Sequence, residues 1–137
     1  MQNILIQFGG NLSMITAIAA GGAVGAVMRY GVFMVTPLLL GAAFPYNTII
    51  VNIVGSFFMG VFVTYFNIAQ NLSPELKAFL TLGLLGGFTT FSAFTLDFLK
   101  MWESEQMVYA MLYVLTSVIF SILAIFGGVI VAKTLIA

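Results

Sequence analysis

Long apolar runs separated by short polar punctuation organise this chain. Charged side chains interrupt it only at Arg29, Glu75, Lys77, Asp97, Lys100, Glu103, Glu105 and Lys133, leaving uncharged stretches over residues 1–28, 30–74, 78–96 and 106–132. A bilayer crossing needs about 20 apolar residues, so the pattern predicts four spans, near 11–36, 48–66, 75–99 and 108–135. Pro37, Gly41 and Pro45 punctuate the first connection. The second, Asn67 to Pro74, ends in Ser73-Pro74-Glu75, a helix start with Pro at the first helical position. The third, Lys100 to Gln106, is the most charged segment, and Trp102 within it suits a membrane interface. Periodicity does not separate helix from strand in runs this apolar. Length does, since barrel strands take only about 9–11 alternating residues and no alternation is present. The expectation is an all-α integral membrane protein with four transmembrane helices, forming a single membrane domain over residues 1–137.

Composition sharpens this reading. Hydrophobic residues make up 62% of the 137 positions and charged residues 6%, where a soluble domain carries roughly 45–50% and about 25%. Such a chain could not cover its own surface in water. The absence of Cys excludes disulfide frameworks, thiolate metal sites and Cys nucleophiles, and the absence of His removes the commonest general base and metal ligand. No basic patch offers a footprint for nucleic acid. Ala17-Ile18-Ala19 has the form of a signal-peptide cleavage site, but no Lys or Arg precedes the apolar run, so a retained first span is expected.

The few charges carry information about insertion. With four spans, Lys77 and Lys133 lie on one side of the membrane and Arg29 and Lys100 on the other. Positive charge normally orients a small membrane protein, and here the two sides balance. Balance is compatible with insertion in both directions and assembly as an antiparallel, dual-topology homodimer. The competing reading is a single orientation fixed by helix hydrophobicity or by N-terminal effects. Gly21, Gly22, Gly25 and Ala26 in span one, Gly55, Ser56 and Gly60 in span two, and Gly83 and Gly87 in span three have small-residue spacings that let backbones approach. These seams serve either association between copies or packing within one bundle.

Span three holds the most unusual segment, Gly86-Gly87-Phe88-Thr89-Thr90-Phe91-Ser92-Ala93-Phe94, placed near the bilayer centre. Paired Gly and paired Thr are poor helix formers. At membrane depth a helix break persists only where the freed backbone groups find protein, water or an ion. The pattern therefore predicts a third helix broken near its middle, against the alternative of an intact helix whose glycines pack and whose Thr hydroxyls bond the preceding turn. In an antiparallel pair, opposed carbonyls at this midpoint would form an oxygen-lined cation site. Without a carboxylate such a site favours a monovalent ion over Ca²⁺ or Mg²⁺. Asp97, the nearest acid in sequence, is expected toward the membrane edge.

Other polar groups are aligned rather than charged. Tyr109, Tyr113, Ser117 and Ser121 recur every four residues along span four, on one slightly drifting helix face. All carry hydroxyls able to donate to an anion without carrying charge; any one alone is better read as a satisfied packing group, and it is the alignment of four that points to an anion. Asn52 adds an amide donor in span two. Phe91 and Phe94 share a face, and ring edges are electropositive; core packing is the ordinary alternative. Arg29, at or just inside the end of span one, either attracts anions at a pore mouth or anchors the helix end.

Three segments together resemble a known family. Gly25-Ala26-Val27-Met28-Arg29-Tyr30, then Asn47-Thr48 with Val51-Asn52-Ile53-Val54-Gly55-Ser56-Phe57, then Gly83 through Phe94, are similar in order and spacing to the Fluc (CrcB) fluoride channels of microbes. The resemblance implies a fluoride-selective channel that passively releases cytoplasmic fluoride across the inner (plasma) membrane. It further implies an antiparallel homodimer with two pathways and a structural Na⁺ at its centre. On these positions, backbone carbonyls of Gly86 and Thr89 would hold the Na⁺. Asn52, Thr90, Phe91, Ser92, Phe94, Tyr113, Ser117 and Ser121 would form the fluoride pathway, and Arg29 would stand near a vestibule. Ala93 departs from the family pattern, in which many members carry Thr, and leaves Ser92 as the neighbouring donor.

Two other classes compete. A small proton-coupled drug exporter can share the four-span antiparallel plan, but it needs an intramembrane titratable group, and residues 1–28 contain none. A non-transporting membrane subunit would pass no ions. An enzyme is not expected, since no nucleophile–base pair or metal cluster is present.

Overall fold

A bilayer offers backbone N–H and C=O groups no partner, so an apolar chain must satisfy them within its own helices. The computed structural model describes residues 2–69 and 71–136 and is helical almost throughout. The order is α1 (Gln2–Leu40), α2 (Tyr46–Ile68), α3 (Pro74–Ala78), a π-helical stretch (Phe79–Leu85), α4 (Gly86–Phe88), α5 (Phe91–Glu103) and α6 (Met107–Ile136). Four stretches are long and apolar enough to cross a membrane: Asn11–Leu40, Tyr46–Ile68, Pro74–Glu103 and Met107–Leu135. The third comprises α3, the π-helical stretch, α4 and α5.

The termini of these spans follow local chemistry. Ser73 caps α3, its hydroxyl accepting from the Leu76 N–H at 3.2 Å with Pro74 at the first helical position, as the sequence motif predicts. Pro37 does not end the first helix: it lies inside α1, which continues to Leu40. A proline in the last turn removes one helical hydrogen bond without blocking the residues after it. Gly41 is the true stop. Its φ of +82° is left-handed, and its N–H donates to the Pro37 carbonyl at 3.0 Å. Arg29 therefore lies roughly three turns inside the helix end, deeper than the sequence placed it.

Close backbone contact along glycine seams holds the bundle together. A Cβ on Gly25 would stand 2.0 Å from the Leu84 carbonyl oxygen, and one on Gly87 would stand 2.5 Å from that of Gly22. Gly21 and Gly83 face each other in the same seam, which joins α1 to the π-helical stretch and α4. A second seam joins α2 to α6, where Gly60 meets the Ile125 carbonyl and Gly128 that of Phe57. Small residues in both seams thus pack within one copy. A small core is built from Ile49, Phe94, Met101, Ala110 and Tyr113. Only 11% of the most apolar stretch of α1, and likewise of α6, is buried inside a single copy.

Candidate functional site

The break in the third span falls at Thr89 and Thr90, both extended, with ψ of 160° and 122°. Gly86 and Gly87 are still helical. The glycines do not themselves interrupt the helix, and Gly87 instead admits the close approach of α1. What interrupts it is a change of partners. In an unbroken helix the Thr90 N–H would donate to the Gly86 carbonyl. It donates instead to Oδ1 of Asn52 at 2.9 Å, while Asn52 Nδ2 donates to the Thr90 carbonyl at 3.1 Å. The Ala93 N–H, which would serve the Thr89 carbonyl, donates to Oγ1 of Thr90, the N-cap of α5, at 3.1 Å. The break frees the carbonyls of Gly86 to Thr89 from helical donors, and those of Gly86 and Thr89, named above as candidate cation ligands, lose theirs to Asn52 and to the Thr90 cap. The Thr89 carbonyl receives one hydrogen bond from Arg29 Nη1 at 3.2 Å. A carbonyl has two lone pairs, so one acceptor position remains. Gly86 is exposed.

On the α2–α6 side of the break lies a cavity of about 370 Å³ lined by Asn52, Thr90, Phe91, Phe94, Ser117 and Ser121, with Gly55, Ser56 and Thr89 beside them. Six of the eight residues predicted for an anion pathway therefore share one cavity, and none of its lining residues is charged. The Ser121 hydroxyl is buried without a hydrogen-bond partner among the described residues. Phe91 is 76% exposed and Phe94 8%, their ring centroids 5.5 Å apart.

The other two residues lie elsewhere. Ser92 faces a separate cavity of about 350 Å³ with Arg29, Phe33, Thr90, Ala93 and Leu96. Its hydroxyl is 3.3 Å from Thr90 Oγ1. Tyr113 is fully buried behind Phe94, with stacked rings 5.1 Å apart, and does not line the 370 Å³ cavity. Tyr109, first in the hydroxyl row, is 57% exposed and does not line this cavity.

Behind Phe94 is a polar node that sequence reasoning did not assemble. Asp97 Oδ2 accepts from Thr48 Oγ1 at 2.7 Å and from the Tyr113 hydroxyl at 3.2 Å. Asp97 also lines a third cavity of about 340 Å³ with Thr36, Asn47, Lys100, Ser104 and Gln106. The available signal was Asp97 itself, the last acid before the charged connection. Its partner Thr48 stands far away in sequence, with nothing local to link them.

Chemically, the arrangement offers neutral hydroxyl and amide donors and two aromatic rings in a cavity without charged lining residues, beside backbone carbonyls released from helical bonding. Comparison with known proteins agrees with this picture. The family model described as CrcB-like protein, Camphor Resistance (CrcB), matches residues 16–129. A fluoride-specific ion channel FluC of Rhizobium etli is 43% identical over 119 residues, covering 87% of this chain and 95% of that protein. The FluC proteins of Agrobacterium fabrum and Chelativorans sp. are 42% and 44% identical, over 88% and 87% of this chain and 97% and 95% of their own lengths.

Proposed function

The chain belongs to the CrcB family, and from that membership we infer that it is a fluoride-selective ion channel and not an enzyme. The observation that carries the reading is the cavity where Asn52, Thr90, Ser117 and Ser121 face Phe91 and Phe94 with no charged side chain on its wall. Fluoride is small and strongly hydrated. A pathway must replace its water with donors, yet bind weakly enough for release. Neutral hydroxyls, one amide and aromatic edges meet both demands, whereas a fixed cationic side chain in the cavity would retain the ion. The unpartnered Ser121 hydroxyl supports the same reading, because a buried polar group without a partner calls for an explanation such as a transient ligand.

The working assembly we propose is an antiparallel homodimer in the inner membrane, exporting cytoplasmic fluoride passively down its gradient. Balanced positive charge on the two sides of the membrane supports dual insertion. The sparse burial of α1 and α6 leaves apolar surface for a second copy as well as for lipid. In such a pair the Gly86 and Thr89 carbonyls would hold a structural Na⁺. Their loss of helical donors, with no cluster of acidic metal ligands among the described residues, suits a monovalent cation. The ion would supply a fixed positive charge at the centre. The chain's own part is to hold those carbonyls out of the helix through Asn52 and the Thr90 cap.

The test is efflux from proteoliposomes with the membrane potential clamped by K⁺ and ionophore. Electrogenic fluoride release with negligible chloride release is the expected result. No fluoride release from folded protein, or substrate–proton exchange in its place, would overturn the reading.

A further inference from the structure

Arg29 lies well inside the first span, where a charged side chain is costly unless it is paired, hydrogen-bonded or in water. Among the described residues no carboxylate pairs with it. Its guanidinium reaches across to the break and donates to the Thr89 carbonyl at 3.2 Å. The reach is set by the glycine seam: Gly25, one turn earlier on α1, lies against Leu84 and the Phe88 N–H, which fixes the height of α1 beside the third span. The Thr89–Thr90 peptide unit is consequently held at both ends. Arg29 of α1 holds its C=O, and Asn52 of α2 holds its N–H at 2.9 Å. Asn52 also lines the cavity read above as the fluoride pathway.

We propose that Arg29 is a positioning residue for ion permeation: it sets the orientation of the Thr89–Thr90 peptide plane rather than drawing anions to a mouth by its charge. The proposal rests on the fluoride-channel reading for its effect on flux, but not for its geometry. One rigid plane presents the Thr89 carbonyl at one edge and engages Asn52 at the other. Loss of the Arg29 hydrogen bond therefore disturbs both edges together. A planar guanidinium fork is preorganised for such a contact, whereas a lysine ammonium is a mobile point charge on a flexible stem.

The chain supplies its own probe. Thr89-Thr90 is the sole Thr-Thr pair in the sequence. Protein labelled with carbonyl-¹³C and amide-¹⁵N threonine thus carries one doubly labelled peptide bond, which gives a single carbonyl-to-amide correlation in NMR. We expect R29Q and R29K both to move its carbonyl resonance. Both should also lower fluoride efflux by about tenfold or more, the size of one lost hydrogen bond from a charged donor, and by the same factor at low and high ionic strength. An unmoved resonance in both variants would overturn the proposal. So would a flux loss that R29K restores fully and that high salt abolishes in R29Q, since screening marks a long-range charge effect. If R29Q does not fold, R29K alone decides, because it keeps the charge and alters only the fork. Wild-type protein that passes no fluoride would overturn the channel reading, while the resonance still judges the clamp.

Discussion

Thr48 on α2 donates its hydroxyl to Oδ2 of Asp97 on α5 across 2.7 Å. The same oxygen accepts from Tyr113 on α6, so one carboxylate atom ties together three of the four spans. The ring of Tyr113 stacks on Phe94, and the node therefore sets the position of a residue in the candidate pathway. Hydrogen bonds to a charged group contribute about 1.5–3 kcal/mol each. Asp97→Asn is expected to destabilise the folded protein by up to about that amount, because an amide oxygen in place of Oδ2 still accepts both hydroxyls but carries no negative charge, and both bonds weaken. Thr48→Val and Tyr113→Phe should each destabilise it less. In a double-mutant cycle the two should be non-additive, since they share an acceptor. Unfolding of the detergent-solubilised variants measures all three, and strict additivity would mean that the hydroxyls do not act through one carboxylate.

Phe91 and Phe94 are equivalent by spacing but not by environment. Phe91 is 76% exposed in one copy, whereas Phe94 is 8% exposed between Phe91 and Tyr113. Phe94→Ile should destabilise the core by about 1–3 kcal/mol through lost packing. Phe91→Ile should change single-copy stability by less than about 0.5 kcal/mol, as an exposed substitution does. Both should lower fluoride efflux. Phe91→Ile is the cleaner test, since a loss of flux there, in protein with unchanged unfolding behaviour, is assigned to the ring itself.

Much of this architecture was legible in the sequence because the bilayer enforces it. Span number and approximate limits follow from apolar length, and the Ser73-Pro74 start follows from capping chemistry. The break also announced itself in a run of poor helix formers, Gly86-Gly87 and Thr89-Thr90, and falls within that run. Which of the two pairs interrupts the helix was not legible, because that depends on Asn52 competing for the Thr90 N–H from another helix. The Asp97 node was hidden for the same reason, since Thr48 and Asp97 are joined only by tertiary packing. Pro37 misled in the opposite direction. Proline near a helix end punctuates only if the chain leaves the helix there, and that step belongs to Gly41 with its positive φ.

The glycines sort into those that admit a neighbour and those that do not. A Cβ on Gly25 would meet backbone at 2.0 Å, while one on Gly31 would meet nothing within 4 Å. Gly25→Ala is expected to force α1 off the third span and to abolish folded, monodisperse protein. Gly31→Ala should instead stabilise α1 by about 0.8–1 kcal/mol through helix propensity. Expression with size-exclusion profiles and thermal unfolding distinguishes the two outcomes. Equal tolerance at both positions would show that the seam is not closely packed.

Ser121 separates a functional hydroxyl from a structural one. Its oxygen is buried and makes no hydrogen bond within the described residues, so it contributes no bond to the fold and bears the cost of desolvation, about 1–3 kcal/mol for an unsatisfied buried group. If its purpose were packing, Ser121→Ala would leave flux alone. If its purpose is to donate to a passing anion, removal should raise thermal stability or leave it unchanged while fluoride efflux falls. That opposition of signs is hard to produce by misfolding, which lowers both. Ser121→Thr keeps the donor and adds a methyl group, so it should retain part of the flux that alanine loses. The measurement is efflux per folded protein alongside unfolding temperature for the two variants, and a parallel fall of both quantities in Ser121→Ala would assign the hydroxyl to structure instead.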